Sequence, residues 1–325
     1  MIFFRKRDKI EKKNEKPIKI LFASDLHASY VTYRKFLNAG LMYSVDVLVI
    51  GGDLAGKSLK PIVDMGNNKF EVDGNVYDEQ GIAKVKKSME DFGVYYVLMT
   101  REEVEEAKAN PKKQDEYFRV AIKGTLRRWI EIAEEKYKGL ETPIFVNLGN
   151  DDPEYMFDVL KESQRFKVGE KEIFDVKGHE FFSYGYVNPT PWNTFREKPE
   201  EDIYRDLKEI TDKLSNPSGA IYNIHAPPYF TNLDNAPLLD KDLKPVVKGG
   251  EIQMSHVGSK SVRKIIEETS PLLGLHGHIH ESRGFDRIGN TLVLNPGSEY
   301  NSGILHSYLI VVDPEQVKAY QFISG

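Results

Sequence analysis

The chain has 325 residues, 40% of them hydrophobic and 29% charged, with a formal net charge of −5. That composition supplies ample apolar material for a core and excludes a strongly basic nucleic-acid binder, though not a nuclease whose metal ions attract phosphate locally. There is no cysteine, so disulfides and thiolate metal sites are excluded and any metal must be held by nitrogen and oxygen.

Residues 1–16 read as a basic, solvated tail carrying Arg5, Lys6, Arg7, Lys9, Lys12 and Lys13. No apolar stretch follows them as a signal peptide requires, and no run approaches the roughly 18 apolar residues needed to span a bilayer. A cytoplasmic location is the expectation. From residue 17 to 325 the chain reads as one domain of short β-type runs that end in polar residues. Ile18–Phe22 leads into Ser24-Asp25-Leu26-His27, and Val45–Ile50 leads into Gly51-Gly52-Asp53. Residues 57–115 then read as an insertion: a hairpin over Ile62–Val72, a helix near Ile82–Asp91, a strand at Val94–Met99 and a charged helix at Arg101–Ala109. A lid, a homo-oligomer contact or a solvated excursion are the roles open to it.

Glu116–Tyr137 is the clearest helix, with Phe118, Ile122, Leu126, Trp129, Ile130 and Ala133 close to a 3.6-residue period. Next come the strand Ile144–Leu148 before Gly149-Asn150-Asp151-Asp152 and a helix over Asp202–Leu214. The strand Ile221–Ile224 then precedes His225. A helix at Ser261–Thr269 is followed by the strand Leu272–Leu275, before His276-Gly277-His278-Ile279-His280. After Asn295-Pro296-Gly297-Ser298, a turn that shapes the site, His306–Val312 and Val317–Ile323 form an antiparallel edge or a second sheet. His179 and His306 sit in strand-like runs and receive no role. Continuous apolar strands alternating with helices imply a layered α/β fold, in which ligands gather beyond the carboxyl ends of the strands. Five polar motifs stand at five such ends.

Singly, these motifs are weak. Asp-x-His, Gly-Gly-Asp and Gly-Asn-Asp-Asp are all good turn or cap chemistry, and a lone His225 is ordinarily structural. Gly277-His278-Ile279-His280 is better, because the intervening residue puts both rings on one side of an extended segment and the glycine lets backbone approach closely. Together, four of the eight histidines, two aspartates and an asparagine supply the neutral imidazoles and shared carboxylate that a pair of cations requires.

In this order, the motifs resemble those of the calcineurin-like metallophosphoesterases: Asp-x-His, Gly-Gly-Asp, Gly-Asn-His-Asp/Glu, a lone His and Gly-His-x-His. The match runs from about Ile18 to Ser298, and His256–Tyr300 is similar to the predicted-phosphoesterase branch of that family. The resemblance implies a four-layer α/β/β/α sandwich, in which residues 57–115 read as an inserted subdomain. It implies a first divalent metal on Asp25, His27, Asp53 and His280, and a second on Asp53, Asn150, His225 and His278. Asp53 would bridge them, and a water or hydroxide between the ions would attack phosphorus. Imidazole-rich ligation favours Mn, Fe or Zn.

The sequence departs from the family at Asp151, where a histidine usually steadies the leaving oxygen. A carboxyl beside two cations should stay ionised and donate protons poorly. Three readings follow. The substrate needs little leaving-group protonation; His256 or His276 supplies the proton; or the site mainly binds metal. The expected function is hydrolysis of a small phosphorylated substrate, a phosphodiester ahead of a monoester. The alternative is a catalytically weak metal-binding scaffold of the same fold. No basic groove or aromatic ladder recommends nucleic acid, and no segment suggests a membrane partner.

Overall fold

Along Ile18–Ala23, Ile18, Ile20 and Phe22 face one way and Leu21 and Ala23 the other, and both sets are buried. A strand with two apolar faces needs cover on both sides, and this one sits in the middle of a sandwich. In the computed structural model, which describes residues 16–325, two six-stranded sheets lie face to face. The basic tail expected over residues 1–16 falls, except for Lys16, outside the described residues.

The first sheet runs in the order Val317–Ser324, His306–Val312, Ile18–Ala23, Val47–Ile50, Ile144–Val146, Phe166–Lys167. Its last four strands are parallel, and His306–Val312 pairs antiparallel to Ile18–Ala23. The C-terminal segments are therefore the antiparallel edge of this sheet. The second sheet runs Gly284–Ile288, Thr291–Asn295, Leu273–Leu275, Ile221–Ile224, His179–Tyr184, Ile173–Val176, with four central parallel strands and an antiparallel strand at each edge.

Period-2 alternation sorts the core into three layers. Phe22, Val49 and Phe145 of the first sheet meet Phe181, Ile221, Leu275 and Leu294 of the second. The outer face of the first sheet, with Leu21, Leu48 and Val146, packs on the helices Tyr30–Met42 and Pro111–Lys136. Tyr222, Ile224 and Val293 of the second pack on Glu200–Thr211 and Lys260–Thr269. The result is the expected α/β/β/α sandwich.

The helix Pro111–Lys136 starts five residues before the expected Glu116. Asn110 caps it, accepting from Lys112 N, and Pro111 takes the first position, where a missing N–H costs nothing. Its Trp129 stacks on Tyr33 with ring centroids 4.1 Å apart. The helix carrying Tyr33 had no clear sequence signature, because tyrosines and Gly40 dilute its buried face.

Between the second and third motifs, Ser58–Asp64, Phe70–Val72, Asn75–Tyr77 and Val94–Met99 form a separate four-stranded sheet. The helix Glu79–Asp91 crosses over it and closes a small core of Ile62, Val72, Ile82 and Met89. Two hydrogen bonds tie this unit to the loops beside it: Tyr95 Oη accepts from Gly56 N at 3.0 Å, and Ser29 Oγ donates to Asp91 O at 2.7 Å. No described helix is long and apolar enough to cross a membrane.

Candidate metal centre

The first two loops continue the pairing of their strands. Asp25 N donates to Gly52 O and His27 N to Asp53 O, both at 3.0 Å. To leave the strands and turn their side chains inward, Asp25, His27, Asp53 and His278 all adopt positive φ, at 57°, 40°, 51° and 69°. Left-handed backbone is uncommon outside glycine, and four instances at one spot mark stored strain of the kind found at functional sites. Close approach explains two of the glycines. A Cβ on Gly149 would lie 2.2 Å from Asp53 Oδ1, and one on Gly277 would lie 2.5 Å from Asp25 Oδ2.

The five loops bring the seven candidate ligands together. Asp25, His27 and His280 can each place a ligand atom within 4.8 Å of the others, and so can Asp53, His225 and His278. Asp53 stands between the groups: its Oδ2 is 3.8 Å from His27 Nε2 and its Oδ1 is 3.5 Å from His225 Nε2. His27 Nδ1 lies 2.9 Å from Ala55 O and His225 Nδ1 3.0 Å from Gly51 O. A carbonyl only accepts, so each Nδ1 carries a proton and each Nε2 faces inward. Inward, the Nε2 atoms meet other ligand atoms. His27 Nε2 is 3.1 Å from His280 Nε2, and His225 Nε2 is 3.2 Å from Asn150 Oδ1. The Asn150 amide nitrogen is turned away, donating to Thr194 Oγ1 and Asp151 Oδ1. Imidazole and carboxylate atoms gathered in a buried site fit a divalent cation.

Protein charges alone leave the cluster electrostatically divided. Burial drives His27 down to about 3 and His278 down to about 4, keeping both rings neutral as ligands must be. His225 goes the other way. Burial opposes its charge, but Asp53 and Asp25 outweigh burial and push it up to about 9. Asp53 and Asp25 are themselves held low, the histidines overcoming the cost of burial.

The residues considered for proton transfer separate. Asp151 lines the cavity above the cluster, its N–H donating to Asp53 Oδ1 at 2.9 Å and its Oδ2 2.7 Å from Lys57 Nζ. Burial and the Asp53 charge raise its pKa, with Lys57 opposing them. His256 also lines the cavity, its Nδ1 2.7 Å from Asp234 Oδ1. Asp234 is buried and accepts as well from Phe230, Thr231 and Gly258 N–H. His276 does not reach the cavity, which corrects its candidacy as proton donor. It is fully buried, and its Nδ1 lies 2.8 Å from Ile224 O and 3.0 Å from Ala226 O, the carbonyls flanking His225. The inward position follows from strand alternation, since His276 lies one residue beyond Leu275 in a sheet covered on both faces.

Three participants were not singled out from sequence. Lys57, four residues after Asp53, puts an ammonium beside the cluster; burial lowers its pKa but Asp151 and Asp53 more than restore it. Asp152 is buried and accepts from Leu54, Ala55 and Gly149 N–H, clamping the second loop to the third; burial and Asp53 lift its carboxyl to about 7 against those donors. Tyr300 packs 4.6 Å from the His27 ring, and nearby Ser298 Oγ donates to Asp25 O at 2.6 Å. The Gly-Lys after the second motif and the repeated acid of the third were the available signals.

Above the cluster opens a cavity of about 1430 Å³. Asp53, Asn150, Asp151, His278 and His280 form its floor, while Asn188–Phe195, Ala236–Leu239 and Ser255–Gly258 supply much of its wall. The helix Pro111–Lys136 contributes Phe118, Arg119 and Ile122.

No family model matches the chain. An uncharacterized protein of Methanocaldococcus jannaschii is 40% identical over 143 residues, which are 43% of this chain and 58% of that protein. The alignment thus spans a little over half of the relative. Among solved structures, one crystal structure superposes with a TM-score of 0.56 at 18% identity, covering 94% of this chain and 98% of its own. A protein of Thermus thermophilus superposes at 0.52 and 14% identity, covering 95% and 98%. A third, described as a novel archaeal phosphodiesterase, gives 0.42 at 15% identity over 95% and 100%. At these identities the likeness is one of fold.

Proposed function

We propose that this chain, which has the sandwich fold of metallophosphoesterase-type structures, is a metal-dependent phosphoesterase that binds two divalent cations and hydrolyses phosphodiesters. The observation that carries the reading is the convergence of ligand atoms: the inward-facing Nε2 atoms of His27 and His225 and the buried carboxylates of Asp25 and Asp53, gathered with His278 and His280 at one spot. In this reading Asp25, His27, Asp53 and His280 hold one cation, Asp53, Asn150, His225 and His278 hold the other, and Asp53 is shared. Bound cations would acidify water and neutralise phosphate charge.

The chain's own residues do the rest. The carbonyls of Ala55 and Gly51 fix the tautomers of His27 and His225. Lys57, held by Asp151, places a fixed positive charge on the cavity side of the cluster, where it attracts the phosphate oxygens. Where the family's histidine would stand, the Asp151–Lys57 pair thus offers charge rather than a proton. His256, oriented by buried Asp234, is the group on the cavity wall suited to exchange a proton with the departing oxygen.

The test is to load the purified chain with Mn, Fe or Zn, determine bound metal by elemental analysis, and assay bis(4-nitrophenyl) phosphate against 4-nitrophenyl phosphate. Two metals per chain and faster diester turnover are expected. A chain that retains no metal and turns over neither ester with any of these cations would overturn the proposal. Metal without turnover would instead support the scaffold alternative.

A further inference from the structure

The cavity is far larger than a phosphate group requires. At about 1430 Å³ it exceeds the roughly 300–1,000 Å³ of ordinary small-molecule sites, which leaves room for the organic part of a substrate. Two large aromatic side chains on its wall stand in water: Trp192 is 60% exposed and Phe195 is 72% exposed. Exposed rings gathered beside a polar site are the usual mark of a recognition surface.

The loop that carries them is braced. Glu197 accepts from Thr190 N, Thr190 Oγ1, Thr194 N and Thr194 Oγ1, and Trp192 N donates to Thr190 Oγ1. The same loop is fastened to the cluster, because Arg196 N donates to Asn150 O and Asn150 Nδ2 donates to Thr194 Oγ1. The loop backbone that carries the rings is therefore tied to a candidate metal ligand, and ordering it costs little on binding.

We infer that Trp192 and Phe195 form a stacking subsite for a planar aromatic or heteroaromatic ring, about the size of a nucleobase, carried by the phosphoester. The inference rests on the phosphoesterase reading for the phosphate end only. A ring is favoured over an acyl chain by the rest of the wall. Arg119 lies 4.5 Å from the Tyr155 ring centroid and Lys260 lies 5.3 Å from that of Tyr229. Such cation–aromatic surfaces suit polarisable π-systems, whereas an aliphatic chain laid against them would desolvate charged heads without compensation.

The two tryptophans of the chain make the test direct. Trp129 is buried in the helical core, so a change in emission on ligand addition reports Trp192. The intact chain is titrated with adenosine 5′-monophosphate, ribose 5-phosphate and octyl phosphate, once with Mn and once with chelator. Saturable quenching by the nucleotide is expected, with little response to ribose 5-phosphate, and Trp192→Phe should abolish the signal. Phe195→Ala, at an exposed position that folding does not need, should weaken nucleotide binding about tenfold. Octyl phosphate binding as tightly as the nucleotide would overturn the inference, as would no quenching under either condition. Quenching by the nucleotide in a chain that hydrolyses no ester would keep the subsite and reject the enzyme.

Discussion

The loop end of the sandwich and the inserted sheet lie side by side in the chain, yet they are built on opposite terms. In the loops, Asp25, His27, Asp53 and His278 take strained left-handed backbone, aspartates are buried together, and the imidazoles of His27 and His280 crowd against each other. In the insertion, Ile62, Val72, Ile82 and Met89 make an ordinary apolar core, and its charges, such as Arg101 with Glu71, pair at the surface. One region sacrifices stability for a preorganised set of ligands; the other only has to fold. Substitutions in the first should therefore change chemistry and those in the second should change stability, and each prediction below tests that division.

The largest effect is expected at Asp53, the buried carboxylate whose oxygens lie 3.8 Å from His27 Nε2 and 3.5 Å from His225 Nε2. Asp53→Asn keeps the shape but removes the charge both cations would share. Outer-shell losses at metal sites cost about 10–100-fold in affinity or activity, so losing this residue should cost more than about 100-fold in diester hydrolysis. Metal content should fall with it. An Asp53→Asn chain with native turnover would erase the distinction between the regions.

Lys57→Met should come next. It removes the one side-chain cation paired with Asp151 while leaving the seven candidate ligands in place. Loss of a single preorganised charge-stabilising group costs about 100-fold or more in kcat in favourable cases, and a half-exposed lysine should give less, about 10-fold. The check is a steady-state comparison with Lys57→Arg, which should recover part of the loss, while bound metal stays at the wild-type level. If metal is lost as well, Lys57 holds the cluster together rather than serving the substrate.

These two positions also show what could be read from the chain. The strands ending in Asp25, Asp53, Asn150, His225 and His278 were legible because a strand buried on both faces is a continuous apolar run, and its polar successor stands out. The insertion's hairpin, helix and parallel strand were legible for similar reasons. Lys57 was not, because a lysine after a glycine looks like any surface residue, and its pairing with Asp151 depends on two loops 94 positions apart. His276 misled in the opposite direction. Its spacing to His278 resembles a ligand's, and only the three-dimensional sheet shows its ring tucked under Ile224 and Ala226. The braced aromatic loop is fastened to Asn150 by Thr194, 44 positions away, and no pattern in the sequence announces that contact.

On the other side of the comparison, Ile62→Ala should be felt as stability. Ile62 is wholly buried in a small core, and truncations of this kind cost about 2–5 kcal/mol. Because the unit has its own core, hydrogen exchange should rise across Ser58–Met99 while the strands of the sandwich keep their protection. Metal content is expected to be unchanged. The two hydrogen bonds from Gly56 to Tyr95 and from Ser29 to Asp91 are the routes by which this expectation could fail. Loss of metal in Ile62→Ala would show that the insertion braces the first two loops.

The smallest effect should come from Arg101→Ala. Its guanidinium donates to Glu71 Oε2 at 2.7 Å across the insertion's surface, with Arg101 67% exposed and Glu71 28% exposed. Water solvates the pair nearly as well as the partners solvate each other, and ordering two long side chains offsets the Coulomb gain, so such pairs contribute about 0.2–1 kcal/mol. A double-mutant cycle of Arg101→Ala with Glu71→Ala, followed by urea denaturation, should give a coupling in that range that shrinks in added salt. A coupling several times larger, insensitive to salt, would mean that this face of the insertion is covered in the working protein, and the insertion would then be a contact surface as well as a folding unit.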